Sequence, residues 1–197
     1  MSRYSADLTA GSLKIAETRT VAALLLNGAT PEEMRHALTN QNVLQAKSPA
    51  TAVRLGRLIQ KRLLPWDRLL WEMIRDGSTI IATQAALAAA IKHSALLGDF
   101  LDLVVREQYR IFAPCINVVE WDKYLENCRS RDFAMPVWNA STQRRLRSTV
   151  FQILAQAGYI CNTRTMKLQS VILEPQLIQF LENRKEDYVL RCLRVCP

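Results

Sequence analysis

The chain has 197 residues, with 26 lysines and arginines against 18 aspartates and glutamates and a formal net charge of +8. Hydrophobic residues make up 49% and charged residues 22%, which is the composition of a globular protein of one or two domains and excludes a disordered chain. The basic balance favours nucleic acid or an anionic membrane surface as a partner, and it carries no information about the fold.

The positive charge is concentrated towards the two ends of the sequence. Residues 1–63 carry nine basic and four acidic side chains, or +5, and residues 140–197 carry the same numbers. The intervening residues 64–139 carry eight basic and ten acidic side chains, or −2. A polyanion is the simplest partner for two such lobes, because each neutralised phosphate releases condensed counterions. Ordinary surface charge is the alternative for each cluster.

The pattern up to residue 132 predicts a helical bundle. Thr30-Pro31 followed by Glu33 indicates a helix start with a capping box, Ser48-Pro49 indicates another start, and Asn27-Gly28 indicates an end. Hydrophobic periodicity predicts helices over residues 12–26 with Ser12 as the cap, 31–38, 49–64, 66–75, 79–93, 96–111 and 118–128.

The alanine-rich segment 77–91 is the best candidate for a membrane span. It is free of charge for only about 15 residues, whereas a bilayer needs about 20. We therefore interpret it as a buried helix and expect no membrane partner. The polar N-terminal residues do not indicate a signal peptide, so we expect a cytoplasmic protein.

Residues 137–197 are predicted to form a second, winged-helix-like domain after a linker at 129–136. A helix follows Ser141-Thr142 and stops at Gly158. Two short strands, 159–161 and 168–173, then flank a basic turn, and a closing helix runs over 175–193. Helix, strand, basic turn, strand is the order of a winged helix. The predicted fold is thus mainly α, with one short β-hairpin.

The helix at 49–64 carries the sharpest functional pattern. Arg54, Arg57 and Lys61 recur at i, i+3 and i+7, which places them on one stripe, with Arg62 beside it and Lys47 shortly before the helix. Such a stripe, braced by the shorter helix 31–38, suits contact with a DNA backbone or major groove. The connection over 40–47 is longer than the turn of a standard helix-turn-helix, and a solvated amphipathic face is the alternative.

A second basic cluster lies near the C-terminal end. Hydroxyls and amides at the start of the helix after Ser141 suit phosphate oxygens, and arginines bind them bidentately. Solubilising charge is the alternative. The two clusters together make the predicted DNA-binding residues Lys47, Arg54, Arg57, Lys61, Arg62, Arg144, Arg145, Arg147, Arg164 and Lys167.

Signals of catalysis are weak. No nucleotide-binding glycine motif, zinc-protease motif or nucleophile elbow is present, and no CxxC occurs. Cys192 and Cys196, four positions apart, could share a helix face but are more simply small buried apolar residues. Glu120, Asp122 and Glu126 are more simply a solvated helix face than metal ligands. The four tryptophans are most simply packing residues, so base stacking requires one that is exposed. We predict no enzyme, cofactor, metal or small-molecule substrate.

The order of several diffuse motifs is similar to that of a known family. These are the N-terminal SADLTAGS at residues 5–12, RLIQKRL at 57–63 at the end of the basic helix, and LAQAGYI at 154–160 after Trp138 and Arg147. Together they resemble the BrxA family of bacterial BREX phage-defence systems, over essentially the whole chain.

That resemblance implies a cytosolic, non-enzymatic protein whose helical part is similar to the antitermination factor NusB and which binds double-stranded DNA. It also implies other BREX proteins as partners. No residue-level binding map carries over. Two alternatives use the same charges: an RNA-binding antitermination-like module, which exposed aromatics beside the arginines would favour, and a protein-interaction scaffold, which a large apolar patch would favour.

Overall fold

The computed structural model describes residues 2–196 and shows a mainly helical protein, as predicted. Its contacts divide it into Leu13–Ala89, called here the 13–89 unit, and a flanking unit made of residues 2–12 with 90–196. This division does not coincide with the predicted boundary after residue 132, because the N-terminal 3-10 turn Asp7–Ala10 packs on a helix of the C-terminal part. That residues 1–132 and 137–197 each fold alone as a domain stays a prediction.

The 13–89 unit follows the predicted chain order. α1 packs on α4, and α2 packs on α3. The Arg19 guanidinium donates to the carbonyl oxygens of Arg75 (2.6 Å) and Gly77 (2.7 Å), which satisfies the end of α4. The helices are α1 Ile15–Leu26, α2 Pro31–Thr39, α3 Pro49–Leu63, α4 Arg68–Asp76 and α5 Thr79–His93, within which the division falls.

Local capping explains where most of these helices begin and end. The capping box is present, since Thr30 accepts from the Glu33 amide and the Glu33 carboxylate accepts from the Thr30 amide. Gly28 takes the left-handed φ of +71° after α1. The predicted Ser12 cap is wrong: Lys14 takes a left-handed φ of +53° in front of α1, so the helix begins later and Ser12 is buried.

α5 is buried along most of its length, as predicted for the alanine-rich segment. Every residue from 84 to 91 is buried. Among the described residues, no single helix is both long enough and apolar enough to cross a membrane. α5 has the required length and composition only when it is counted together with the helical stretch that follows it.

The flanking unit contains the remaining helices. A π-helical segment, Leu101–Val105, joins α6 to α7 within one helical stretch. α8 extends into the predicted linker 129–136, so the connection before α9 is shifted to residues 132–139. The helices are α6 Ala95–Phe100, α7 Arg106–Arg110, α8 Val118–Arg131, α9 Ala140–Gln156, α10 Pro175–Asn183 and α11 Asp187–Leu193.

The single closing helix predicted over 175–193 is wrong. Lys185 takes a φ of +55°, and the amides of Lys185 and Glu186 donate to the carbonyls of Glu182 and Leu181. These bonds close α10 with a left-handed residue and let the chain reverse. α11 then packs against α10 and α6.

The predicted β-hairpin is also reduced, because the described residues contain isolated bridges but no extended strand. Ile160 pairs antiparallel with Leu168, supported by bonds from the Cys161 amide to the Lys167 carbonyl and from the Gln169 amide to the Tyr159 carbonyl, both 2.9 Å. The pairing goes no further, and the expected strand 168–173 does not form.

Asp99 ties distant segments of the flanking unit together. This buried carboxylate accepts two hydrogen bonds from the Arg3 guanidinium (2.8 and 3.0 Å) and one each from the hydroxyls of Tyr4 (2.9 Å) and Tyr188 (2.7 Å). Gly98 allows this approach, since a Cβ there would lie 2.4 Å from the Tyr188 hydroxyl. The Asp99 carboxylate thus links α6 to the N-terminal segment and to α11.

Candidate nucleic-acid interface

The first basic surface is one face of α3. Ser48 caps the helix by accepting from the Thr51 amide, and Pro49 begins it. Arg54, Arg57 and Lys61 are all exposed, as their spacing predicted; these three form what we call the helix-3 surface. Since the opposite face of α3 is buried, the helix has only one orientation in which to present them.

α2 braces α3 at close range. Gly56 is the point of approach: a Cβ added there would lie 2.5 Å from Leu38 Cδ1. Beside this contact the two helices leave a groove of about 310 Å³, lined by apolar Met34, Leu38 and Val53 and by the arginines Arg35 and Arg57.

Arg35 is therefore a candidate that the sequence analysis missed. It is exposed and lines the same groove as Arg57, although it belongs to a different helix. The spacing rule works along one helix, so it could not join them. The apolar residues Met34 and Leu38 could have indicated it. Because both are buried, they fix the orientation of α2 and leave Arg35 at the edge facing α3.

The cations of the helix-3 surface are not neutralised by the protein. Within residues 2–196, the side chains of Arg54, Arg57 and Lys61 make no ion pair or hydrogen bond. The nearby acid Glu33 is committed to its capping box, where bonds from the Thr30 amide and hydroxyl lower its pKa. The surface is therefore solvated positive charge.

Two further predicted residues differ in their exposure. Lys47 is exposed in the connection before α3. Arg62 is only 3% exposed, so its assignment as a phosphate contact is wrong. Arg62 follows Leu58 and Ile59 by four and three positions, which places it on the core-facing side of α3.

The second set of arginines lies on the first turns of α9. Asn139, and not Ser141, caps this helix: its side-chain oxygen accepts from the Thr142 amide and from the Ser141 hydroxyl, both at 2.8 Å. The Ser141 hydroxyl thus donates within the protein, and its expected contact with phosphate stays a prediction. Arg144 and Arg145 are exposed.

Arg147 is held differently from its two neighbours. Its guanidinium lies 3.6 Å from the Asp122 carboxylate of α8. A mostly exposed pair of this kind contributes little to stability, and a phosphate could displace the carboxylate. Asp122 nevertheless reduces the positive potential at Arg147.

The remaining predicted cations lie on an exposed turn, residues 161–167, called here the basic turn. The Asn162 side-chain oxygen accepts from the amides of Arg164 and Thr165, both at 2.9 Å, and this closes the loop as an Asx turn. Arg164 and Lys167 are exposed, and no acid pairs with either within the described chain. Cys161 lies at its base, where the hydrogen bond with Thr165 lowers the pKa of the thiol.

Two segments distant in sequence support the basic turn. The Tyr109 hydroxyl at the end of α7 donates to the carbonyls of Tyr159 (3.0 Å) and Gln169, one on each arm. Residues 114–116 pair with the outer arm: the Leu168 amide donates to Pro114 and the Ile116 amide to Met166, both at 3.1 Å. No local pattern could have indicated these contacts, because they join residues about 50 positions apart.

The structure thus groups the predicted cations into three sets. The helix-3 surface belongs to the 13–89 unit, whereas the start of α9 and the basic turn belong to the flanking unit. Within residues 2–196, no hydrogen bond or ion pair joins the α9 arginines to the basic turn. The same part of the chain contains no cluster of three or more His, Cys, Asp or Glu side chains able to hold a metal.

Comparison with known proteins shows the family to which this chain belongs. The family model BrxA matches residues 2–185. The chain belongs to the BrxA family. Two relatives are named BREX protein BrxA. The one from Paramagnetospirillum magneticum is 50% identical over 98% of this chain and 97% of the relative, and the one from Escherichia coli O9:H4 is 30% identical over 95% and 88%.

A solved structure that is similar in sequence has the same fold. It is the crystal structure of an uncharacterized protein from Magnetospirillum magneticum, 48% identical, with a TM-score of 0.92 over 98% of this chain and 99% of that one. The family model and the two named relatives confirm the BrxA family resemblance inferred from the motifs.

Proposed function

We propose that this chain is a non-catalytic, double-stranded DNA-binding component of a bacterial BREX phage-defence system. The observation that carries the proposal is the set of exposed cations on the helix-3 surface, at Arg144 and Arg145, and on the basic turn, which form no ion pairs within the described chain. Such cations can replace the counterions condensed on a phosphate backbone, and the released ions favour binding. Relatives named BREX protein BrxA supply the defence context.

Contacts with phosphate should dominate over contacts with bases. The cations are arginines and lysines on solvated faces, and few asparagines or glutamines accompany them to read base edges. We propose that α3 follows the DNA backbone or enters the major groove, as part of a NusB-like helical region. We further propose that α9 and the basic turn act as a winged helix, with the turn as the wing. The antiparallel pairing of Ile160 with Leu168 supports this assignment.

The same proposal includes other BREX proteins as partners, in the cytoplasm where host DNA lies. The relatives named BREX protein BrxA support this part of the proposal.

RNA binding is the second candidate. One observation favours it: Phe112 is an exposed aromatic residue close in sequence to the segment that supports the basic turn. Unpaired RNA bases stack on such rings. The tryptophans do not offer this contact, because Trp66, Trp121 and Trp138 are buried and Trp71 is half-buried.

Fluorescence anisotropy decides between these functions. A ~20 bp duplex, the matching single strand and RNA of the same sequence are titrated with the protein across a range of salt. We expect the duplex to bind most tightly, with a log–log slope of about −4 to −7, corresponding to roughly four to eight phosphate contacts. Preference for RNA would replace the first candidate with the second. Absence of binding to all three at low salt would contradict both.

A further inference from the structure

Phe112 ends α7 in a conformation that aromatic residues rarely adopt. The Phe112 amide donates to Tyr109 (3.0 Å) and the Ala113 amide to Gln108 (2.9 Å), which closes the helix with Phe112 at a φ of +53°. Glycine usually occupies this position, since a side chain in the left-handed region clashes with the backbone. Six non-glycine residues in the described chain have positive φ, and Phe112 is the only aromatic one among them.

The ring of Phe112 gains nothing from folding that would offset this strain. The side chain is 87% exposed, and its neighbour Ile111 is exposed as well. An exposed phenyl group in a strained backbone position stabilises neither the helix nor the core. Strain that the surrounding structure maintains without local benefit is evidence for a functional role.

The surroundings hold Phe112 beside the basic turn. The Tyr109 hydroxyl, three residues before it, bonds both arms of the turn. Two residues after it, the Pro114 carbonyl accepts from the Leu168 amide, and Cys115 pairs antiparallel with Lys167. Phe112 therefore lies on a short connection that is anchored to the turn on both sides.

An exposed apolar side chain next to basic residues is the combination that proteins use to wedge between base pairs from a DNA groove. Proteins that bend DNA insert phenylalanine, isoleucine or similar side chains between base pairs while nearby basic residues hold the phosphates. Arg164 and Lys167 lie on the adjacent turn, exposed and without acidic partners among the described residues.

We propose that Phe112, with Ile111 beside it, is a wedge that inserts between base pairs of duplex DNA. Arg164 and Lys167 hold the neighbouring phosphates. The inference rests on the proposed duplex-binding function and adds a specificity to it. The protein should favour sites with pyrimidine–purine steps such as TA, because these unstack and kink most easily.

The test uses a ~20 bp duplex with 2-aminopurine next to a central TA step, since the fluorescence of this base rises when it unstacks, and affinity is measured across salt on the same duplex. Four proteins are compared: wild type, Phe112→Asn, Phe112→Tyr and Phe133→Asn. Asparagine tolerates positive φ, so Phe112→Asn removes the ring without distorting the backbone. Phe133 is the matched control, because it is an exposed phenylalanine with no described contact to the basic turn.

We expect wild type to raise the 2-aminopurine fluorescence and Phe112→Asn to leave it unchanged. Phe112→Asn should bind about tenfold more weakly, the scale of a lost base–aromatic stack, with the same salt slope because the phosphate contacts remain. Phe112→Tyr should restore both signals, and Phe133→Asn should behave as wild type.

Several results would overturn the wedge. One is that Phe112→Asn keeps the wild-type affinity and the wild-type fluorescence change. If this variant also loses binding to a BREX partner protein, the ring belongs to a protein contact. Another is an effect of Phe112 confined to single-stranded DNA or RNA. These outcomes leave duplex binding by wild type in place, whereas failure of wild type to bind the duplex removes the proposed function itself.

Discussion

The helix-3 surface and the basic turn are built in opposite ways. The helix-3 surface rests on contacts over shorter distances in sequence: Ser48 with Thr51 at the cap, and Leu38 of the preceding helix against Gly56 at the brace. The basic turn depends on the Tyr109 hydroxyl, which bonds carbonyls 50 and 60 residues away, and on the pairing of residues 114–116. Similar charge can thus be presented by local helix geometry or by distant contacts, and the two differ in how easily they are disrupted.

The largest expected effect is loss of duplex binding on reversal of the helix-3 surface. The double variant Arg57→Glu/Lys61→Glu should weaken duplex affinity by at least about 100-fold and reduce the magnitude of the salt slope by about 2, because two phosphate contacts are replaced by repulsion. Both positions are exposed, so the fold should be intact by circular dichroism and thermal unfolding.

A matched control separates position from net charge. Arg131→Glu/Lys185→Glu changes the net charge by the same amount on exposed residues outside the helix-3 surface, the start of α9 and the basic turn. Its affinity should stay within about threefold of wild type at moderate salt, where charges far from the interface are screened. If folded Arg57→Glu/Lys61→Glu binds like this control, the assignment of α3 fails.

The next effect tests how far the flanking unit depends on one buried charge. Asp99→Asn should lower the free energy of unfolding by about 2 kcal/mol near neutral pH, since hydrogen bonds to a charged group contribute about 1.5–3 kcal/mol each and Arg3 would keep its charge. Urea unfolding of both proteins measures the difference.

The same variant has a defined pH dependence. Burial raises the pKa of Asp99, but hydrogen bonds from Arg3, Tyr188 and Tyr4 outweigh it, and the pKa lies below its ordinary value. The stabilisation is therefore complete above the unfolded pKa of about 3.9 and is lost as the pH falls through the folded pKa. The stability difference between wild type and Asp99→Asn should shrink between about pH 7 and about pH 3; a constant difference would contradict the role of the charge.

Removing one hydroxyl should loosen the basic turn selectively. Tyr109→Phe removes the hydroxyl that bonds the carbonyls of Tyr159 and Gln169; the Tyr159 carbonyl keeps the Gln169 amide as a donor, but the Gln169 carbonyl loses its bond, which should cost about 1–3 kcal/mol. Hydrogen exchange at the Cys161 and Gln169 amides should accelerate, while exchange in α3 stays unchanged.

Ser48→Ala is the reciprocal variant. Loss of this cap should destabilise by about 1 kcal/mol and accelerate exchange in the first turn of α3, without changing the basic turn. If each variant altered both regions equally, the contrast between local and distant support would be wrong.

Among the charge reversals, the smallest expected effect is that on the basic turn itself. Arg164→Glu/Lys167→Glu should weaken duplex binding by about tenfold, less than reversal on α3, because the turn offers two cations where the helix-3 surface has three with Arg35 beside them. Anisotropy on the same duplex measures it. A loss greater than that of Arg57→Glu/Lys61→Glu would make the basic turn the principal contact.

Local signals in the sequence were reliable where neighbouring residues decide the structure. The capping box at Thr30 and Glu33, the start of α3 at Pro49 and the exposure of Arg54, Arg57 and Lys61 were all predicted correctly. Prediction failed at the edges of these patterns. Arg62 lies one position beyond the stripe, and its burial depends on which side of α3 faces the core.

What the sequence determined by itself was most of the helices, the family and the two basic lobes, because periodicity, caps and charge are properties of consecutive residues. The tertiary structure alone decided three things: that Arg35 joins Arg57 at one groove, that the basic turn has no extended strands but rests on Tyr109, and that Phe112 is exposed in a left-handed conformation. The first two depend on segments tens of residues apart meeting in space, and only the packing of the core brings them together; the third depends on where the chain turns after α7.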